Sequence, residues 1–340
     1  MADDSSSRKR KVRGTKIRTD RAQKSGRKAE KELRRKAAAS ERNGDTPLSA
    51  PEEVAPEPFV ETDEIDSIRN RIQGWLEAEQ PVHLIGPTGC GKTSLALSAA
   101  AERGRPVVWL NGDEAVDTAA LVGAHAGGER YEERDQFVGG VDKRTQIVRE
   151  RWVDNPLSVA VREGATLVYN EFSRSDPAAH NVLLSLFEEG VLERPGKRGD
   201  DRTIDVHPEF RAILTSNDIE YAGVHQQQDA LLDRVVGVHI DYYDAETERE
   251  IVDAHVELPS DQIDEVVSTT QQLRDELDIV VGTRAAITTA KGLSVFNTSD
   301  NGIADELLAD VFTDVLAPKV SGGREGDDVT ELKDRISETV

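Results

Sequence analysis

Gly86-Pro87-Thr88-Gly89-Cys90-Gly91-Lys92-Thr93 follows the pattern G-x-x-x-x-G-K-[ST], in which glycines let successive backbone N–H groups converge on phosphate oxygens. In such a loop Lys92 brings a positive charge to the outer phosphates, and the Thr93 hydroxyl can ligate Mg²⁺. All eight residues, Gly86, Pro87, Thr88, Gly89, Cys90, Gly91, Lys92 and Thr93, are therefore assigned to nucleotide binding. The flanks agree. Val82-His83-Leu84-Ile85 is a short apolar run suited to a buried strand, and Ser94 to Ala101 is rich in helix formers. Strand, loop and helix stand in the order that a phosphate loop requires.

At 340 residues the chain has room for one large or two ordinary domains. It contains no run of 18 apolar residues, and its start lacks the apolar core of a signal peptide, so the expectation is a cytoplasmic protein with no membrane span. Cys90 is the only cysteine, which excludes an internal disulfide; it is read either as a tolerated small residue or as a sensor thiol favoured by a helix N-terminus. The seven histidines show no ligand spacing with it, and no metal beyond nucleotide-bound Mg²⁺ is expected.

The net charge of −22 conceals two opposite regions. Residues 1–42 carry 16 Lys and Arg against 6 Asp and Glu, while the remainder carries 27 against 59. Six of those 27 are lysines and 21 are arginines. An acidic, lysine-poor surface suits molar salt, where self-repulsion is screened within about 3 Å. Residues 1–42 read as a basic tail that is either a solvated arm or a contact for an acidic protein surface, with a helix possible from Arg21 to Ser40. Nucleic acid is the less favoured partner, because phosphate contacts weaken steeply with salt.

Residues 43–60, with four prolines, read as a stiff linker, and the folded part is expected to begin near Phe59. Ile65, Ile68, Ile72 and Trp75 then recur at helical spacing behind a Thr62 cap, with Trp75 assigned to the core. Residues 61–243 contain the strand-forming runs and are assigned to an α/β core. Within it, residues 123–156 are read as an insertion that touches a partner, lines a pore or is a plain surface excursion. Residues 244–318 have helical patterning only, and residues 319–340 are expected to be a polar, frayed tail.

Thr166-Leu167-Val168-Tyr169-Asn170-Glu171 is an apolar strand ending in two polar residues, the place where a nucleotide hydrolase keeps its metal and water groups. Glu171 is the candidate general base, able to orient and polarise the water that attacks the γ-phosphate. Asn170 stands where an aspartate would face the Mg²⁺ shell through water; it keeps an acceptor oxygen and loses the charge, which predicts weaker Mg²⁺ binding. Asn217, at the end of another strand, could sense the γ-phosphate or hold the attacking water, or merely cap a turn. Arg234 calls for a phosphate or an acid if buried, and Arg284, in the first turn of a helix, could reach a γ-phosphate from a lid.

Together with the phosphate loop, Phe59-Val60-Glu61-Thr62, Asn111-Gly112-Asp113-Glu114, Arg151-Trp152-Val153-Asp154-Asn155, Leu167 to Ser175, His207-Pro208-Glu209-Phe210, Thr215-Ser216-Asn217, Glu220 to His225 and Gln228 to Arg234 carry a resemblance. From about Phe59 to Leu293 the chain resembles the MoxR group of AAA+ ATPases and, within it, the gas vesicle protein N family. The resemblance implies an AAA+ P-loop core with a Rossmann-like parallel sheet, a small helical lid, and a homo-oligomeric, hexameric ring with ATP between subunits. It implies Mg²⁺-dependent ATP hydrolysis, with Glu171 activating water, Asn217 as first sensor, Arg234 as the finger supplied to a neighbour's ATP and Arg284 as second sensor. The implied role is assistance in gas vesicle assembly and enlargement through the vesicle's accessory and shell proteins, in the cytoplasm or at the vesicle surface. Other readings are a MoxR-type chaperone that activates a metalloenzyme, a nucleic-acid-stimulated motor using the basic tail, and a binding protein in which Asn170 has ended turnover.

Overall fold

The computed structural model describes residues 46–135, 143–217, 229–297, 302–320 and 327–340. The basic tail with its expected helix, Gly139-Gly140 and the string from Glu220 to Gln228 lie outside them. The first strand, β1 (Leu48–Ser49), pairs antiparallel with Val107 and Val108, and a short helix α1 (Pro51–Val54) follows. The linker expected over residues 43–60 is thus partly built into the sheet. Its prolines oppose a long helix, but they do not oppose a two-residue edge strand.

Helix α2 (Asp63–Glu77) starts where Thr62 Oγ1 accepts the Ile65 N–H at 3.3 Å, with Asp63, Glu64 and Asp66 in the first turn facing the positive end of the helix dipole. It buries Ile65, Ile72 and Leu76, whereas Trp75, expected in the core, is 42% exposed. Adjacent helical positions lie about 100° apart, so the stripe that buries Leu76 leaves Trp75 on its flank. Strand β2 (Val82–Gly86), the phosphate loop and α3 (Lys92–Glu102) come next, then β3 (Val107–Asn111) and α4 (Thr118–Val122). The insertion is a long antiparallel hairpin of β4 (Gly123–Asp135) and β5 (Lys143–Asp154).

Helix α5 (Pro156–Glu163) leads to β6 (Thr166–Asn170). Asp176 and Pro177 open a single 3-10 turn, capped by Asp176 Oδ1 on the Ala178 N–H at 2.8 Å, before α6 (Asn181–Glu189) begins. A small hairpin of β7 (Val191–Glu193) and β8 (Thr203–Asp205), strand β9 (Arg211–Asn217), helix α7 (Asp229–Leu232) and strand β10 (Val236–His239) complete the α/β part.

The main sheet runs β1-β3-β6-β9-β2-β10, and every pair except β1 with β3 is parallel. Its strands alternate between two cores, as a period of two requires. Leu167, Tyr169, Ala212 and Leu214 pack with α5 and α6, while Val168, Ile213 and Leu84 pack with α2 and α3. Since parallel strands all end on one side, the loop after β2 and the polar ends of β3, β6 and β9 meet at one edge.

Among the described residues no strand follows β10. Five helices, α8 (Ala245–His255), α9 (Ser260–Glu276), α10 (Thr283–Phe296), α11 (Asp305–Val320) and α12 (Asp327–Thr339), share a third core containing Val252, Leu273, Leu293 and Phe312. The frayed tail expected over residues 319–340 is instead the end of α11 and all of α12, which bury Leu332 at 5% and Ile336 at 0% exposure. Leu332 and Ile336 are four residues apart, a narrow apolar stripe in a helix whose other faces are charged.

Two outcomes test these packings. Ile336→Ala should lower the stability of the full chain by about 2–4 kcal/mol in denaturant unfolding, whereas a frayed tail would leave it unchanged. His83 lies at 1% exposure, with Nε2 2.7 Å from Ser216 Oγ, and burial pushes its pKa down to about 4. Its unfolded counterpart titrates near 6.5, so the unfolded state binds the extra proton between those values and stability falls as pH is lowered through that window. Relative to a His83→Asn variant, the wild type should lose roughly 1–2 kcal/mol between pH 7 and pH 5.

Candidate functional site

The phosphate loop turns on Gly89 and Gly91, whose φ angles of 85° and 91° lie in the left-handed region. Lys92 is only 7% exposed, and its ammonium donates to the carbonyls of Gly86 at 2.8 Å and Pro87 at 2.7 Å. Cys90, whose Sγ lies 3.9 Å from Lys92 Nζ, is buried in the core that joins α3 to the sheet.

The next residue, Thr93, reaches across to β6: its hydroxyl donates to Asn170 Oδ1 at 2.7 Å. The same oxygen accepts from Thr215 Oγ1 of β9 at 2.9 Å, and Asn170 Nδ2 donates to Asn111 Oδ1 of β3 at 3.0 Å. Strand register explains the meeting. Asn111 is paired with Asn170, and Gly86 is paired with Asn217, so the polar ends of β3, β6 and β9 meet at the loop. Asn170 uses its amide as a donor here, which an aspartate could not do.

Glu171 follows in a left-handed conformation, φ 50°, and its N–H donates to Thr215 Oγ1 at 2.9 Å. That backbone turn carries its carboxylate out of the sheet, where the side chain is 39% exposed and accepts from Arg174 Nη1 at 2.7 Å. Arg234, in the turn after α7, lies 28% exposed with Nε donating to Glu188 of α6 at 3.0 Å and Nη1 to the Ala230 carbonyl. Its described partners therefore lie on α6 and α7. Arg284, in the first turn of α10, comes against the loop: its Cβ would lie 3.7 Å from a Cβ built on Gly89. Lys319 of α11 stands near enough to Arg284 that the two cations repel, which adds to burial in lowering the Lys319 pKa.

Between the loop and the helical bundle lies a cavity of about 240 Å³ with Phe59, Ile65, Leu95, Tyr243, Ile251 and Ile287 among its walls. Apolar walls beside a phosphate loop suit the base of a nucleotide. Among the described residues no three His, Cys, Asp or Glu side chains gather as a metal group. The two oxygen donors at Thr93 and Asn170 fit Mg²⁺, which keeps waters and phosphate oxygens and needs few protein ligands.

The sequence reading named Lys92, Thr93, Asn170, Glu171, Asn217 and Arg284, and the fold places Asn217 at the loop's first residue and Arg284 at its crest. It missed Thr215, which bonds Asn170 and Glu171 together. Thr215 lies two residues before Asn217 and so on the same face of β9, a signal that period-two counting would have caught. It also missed Arg174, three residues beyond Glu171, and Glu188, whose pairing with Arg234 is tertiary.

The model of the AAA domain (dynein-related subfamily) matches residues 81–235. The chain is 54% identical to the gas vesicle ATPase GvpN of Haloferax mediterranei, over 98% of this chain and 97% of that protein. It is 56% identical to the gas vesicle ATPase GvpN2 of Halobacterium salinarum, over 98% and 96%, and 37% identical to the gas vesicle ATPase GvpN of Ancylobacter aquaticus, over 88% and 84%.

Thr215→Val keeps the shape of β9 while removing the hydroxyl that serves both Asn170 and Glu171. It should cost about 1–3 kcal/mol in denaturant unfolding because the Glu171 N–H loses its acceptor; a change under about 0.3 kcal/mol would show that the junction contributes nothing.

Proposed function

We propose a function from one premise: the chain belongs to the GvpN family of gas vesicle ATPases, within the AAA+ group. It hydrolyses ATP to ADP and phosphate and uses that cycle to assist gas vesicle assembly and enlargement by acting on vesicle proteins. The observation that carries this reading is the meeting of Lys92, Thr93, Asn170 and Glu171 at the carboxyl edge of a parallel sheet.

Each residue then has a task. Lys92 exchanges the Gly86 and Pro87 carbonyls for outer phosphate oxygens, a charge-assisted contact stronger than the neutral ones it leaves. Mg²⁺ arriving with the nucleotide would be held by Thr93 directly and by Asn170 through water, and it supplies neutralisation of phosphate charge. Glu171 orients the attacking water and takes its proton, for which its carboxylate must part from Arg174. Both side chains are exposed, and a pair of that kind holds by about 1 kcal/mol or less, so the exchange is easy. Asn217 holds or senses the terminal phosphate beside Gly86. Arg284 reaches the phosphates from the lid.

Arg234 serves the ATP of a neighbouring subunit in a hexameric ring, after leaving Glu188. The partners are other copies of the chain and the accessory and shell proteins of the vesicle, met in the cytoplasm or at the vesicle surface. The acidic, lysine-poor body suits molar salt, and the basic tail suits an acidic protein surface better than nucleic acid. No helix among the described residues is long and apolar enough to cross a membrane.

Glu171→Gln should lower phosphate release in molar KCl by about 10²-fold or more, and cells carrying only that variant should form small vesicles or none by electron microscopy. Normal vesicles alongside lost turnover would overturn the motor role. Asn170→Asp should lower the Mg²⁺ concentration for half-maximal turnover, since a carboxylate replaces a neutral amide; an unchanged value would remove Asn170 from the metal site.

A further inference from the structure

A buried charge outside the nucleotide site has no part in the chemistry above. Glu248 of α8 is 0% exposed, and ionised carboxylates survive burial only when their oxygens are fully used. Four donors surround it: Arg274 through Nη2 at 2.7 Å and Nη1 at 3.3 Å, Thr283 Oγ1 at 2.7 Å and Gln271 Nε2 at 3.2 Å. Arg274 Nε also donates to the Val281 carbonyl at 2.8 Å. Helices α8 and α9 and the turn that begins α10 are therefore gathered on one carboxylate, and Thr283 directly precedes Arg284.

The same arginine leads to the phosphate loop. Its guanidinium carbon stands 3.9 Å from the centroid of the Tyr242 ring, and the Tyr242 hydroxyl donates to the Thr88 carbonyl at 3.1 Å. Gly282 closes the contact from the other side, since a Cβ built there would lie 2.7 Å from the Thr88 carbonyl oxygen and 3.2 Å from the Tyr242 ring. The chain of contacts runs from Thr88 through Tyr242 and Arg274 to Glu248, and from Glu248 through Thr283 to the residue before Arg284.

We infer that Tyr242, Arg274 and Glu248 are positioning residues that key the helical bundle to the phosphate loop, setting Arg284 against the bound nucleotide. This rests on the reading that the loop binds ATP and that Arg284 contacts its phosphates. The device is rigid where it is buried and weak where it meets the loop. The Arg274–Glu248 pair is dry and multiply bonded, whereas a single neutral hydrogen bond joins Tyr242 to Thr88.

Removing Glu248 would strand Arg274 and can unfold the bundle, so the test uses two milder changes. Tyr242→Phe drops only the hydroxyl, and Arg274→Lys keeps a charge for Glu248 while losing the flat stack and the Nε bond. ATP binding is measured by titration calorimetry on the full chain in molar KCl with EDTA, so that no turnover occurs, with Lys92→Ala and Arg284→Ala as references. Tyr242→Phe and Arg274→Lys should each weaken ATP binding about 3- to 10-fold, and kcat with Mg²⁺ should stay within about twofold of wild type. In an Arg284→Ala background the same changes should cost under about 1.5-fold, because residues acting through one group are not additive. Equal losses in both backgrounds, wild-type affinity in either variant, or wild-type affinity in Arg284→Ala would overturn the inference. Wild-type affinity in Lys92→Ala would instead strike the nucleotide-site reading itself.

Discussion

The hydrogen bonds around Asn170 are the junction on which the rest of this architecture turns. Its carbonyl oxygen takes the hydroxyls of Thr93 and Thr215, and its amide donates to Asn111, so one neutral side chain ties three parallel strands to the helix that follows the phosphate loop. Parallel pairing makes this possible, because it delivers all strand ends to one edge at matching height. Neutrality has its own consequence. An amide can be donor and acceptor at once, so the site can be pre-assembled by its own hydrogen bonds before any cation contributes.

From that junction the placement of Glu171 follows by short steps. Thr215 Oγ1 accepts the Glu171 N–H, and the backbone leaves β6 in a left-handed turn that aims the carboxylate away from the sheet. Gly112 donates its N–H to the main-chain carbonyl of Asn170 at 2.7 Å, and a side chain on it would collide with the Glu171 main-chain carbonyl. The position of Glu171 is therefore held by backbone, while its carboxylate stays free to change partners. That division fixes where the carboxylate starts while leaving its tip in an exposed ion pair.

The helical bundle solves a different electrostatic problem. The body carries 59 acidic residues against 27 basic ones, so cations close together on it are uncommon. Lys92 stands in the loop, and Arg284 and Lys319 stand close enough to repel each other on the bundle. The buried Glu248 is bonded to Arg274, Gln271 and Thr283, the last directly before Arg284.

The phosphate loop and the polar strand end beside it were legible in the sequence because their signals are local. Gly89, Gly91, Lys92 and Thr93 act through consecutive backbone and side-chain atoms, and Asn170 and Glu171 end an apolar run that can only be a buried strand. Periodicity likewise exposed Ile65 and Ile72, and the change from strands to helices near residue 244. The sequence did not decide what depends on pairs far apart along the chain. Leu48 joins the sheet because Val108 presents an open edge, Trp75 lies outside because the stripe is centred on Leu76 and Ile72, and α12 folds because Ile336 finds a core to enter. Arg234 with Glu188, Thr215 with Asn170 and Glu248 with Arg274 are likewise long-range choices, since one side chain's pattern carries no record of which distant partner will satisfy it. Local chemistry in the sequence determined what this protein can bind, and tertiary packing decided how the binding residues are held, because burial obliges each polar group to find its partner wherever the fold has brought one.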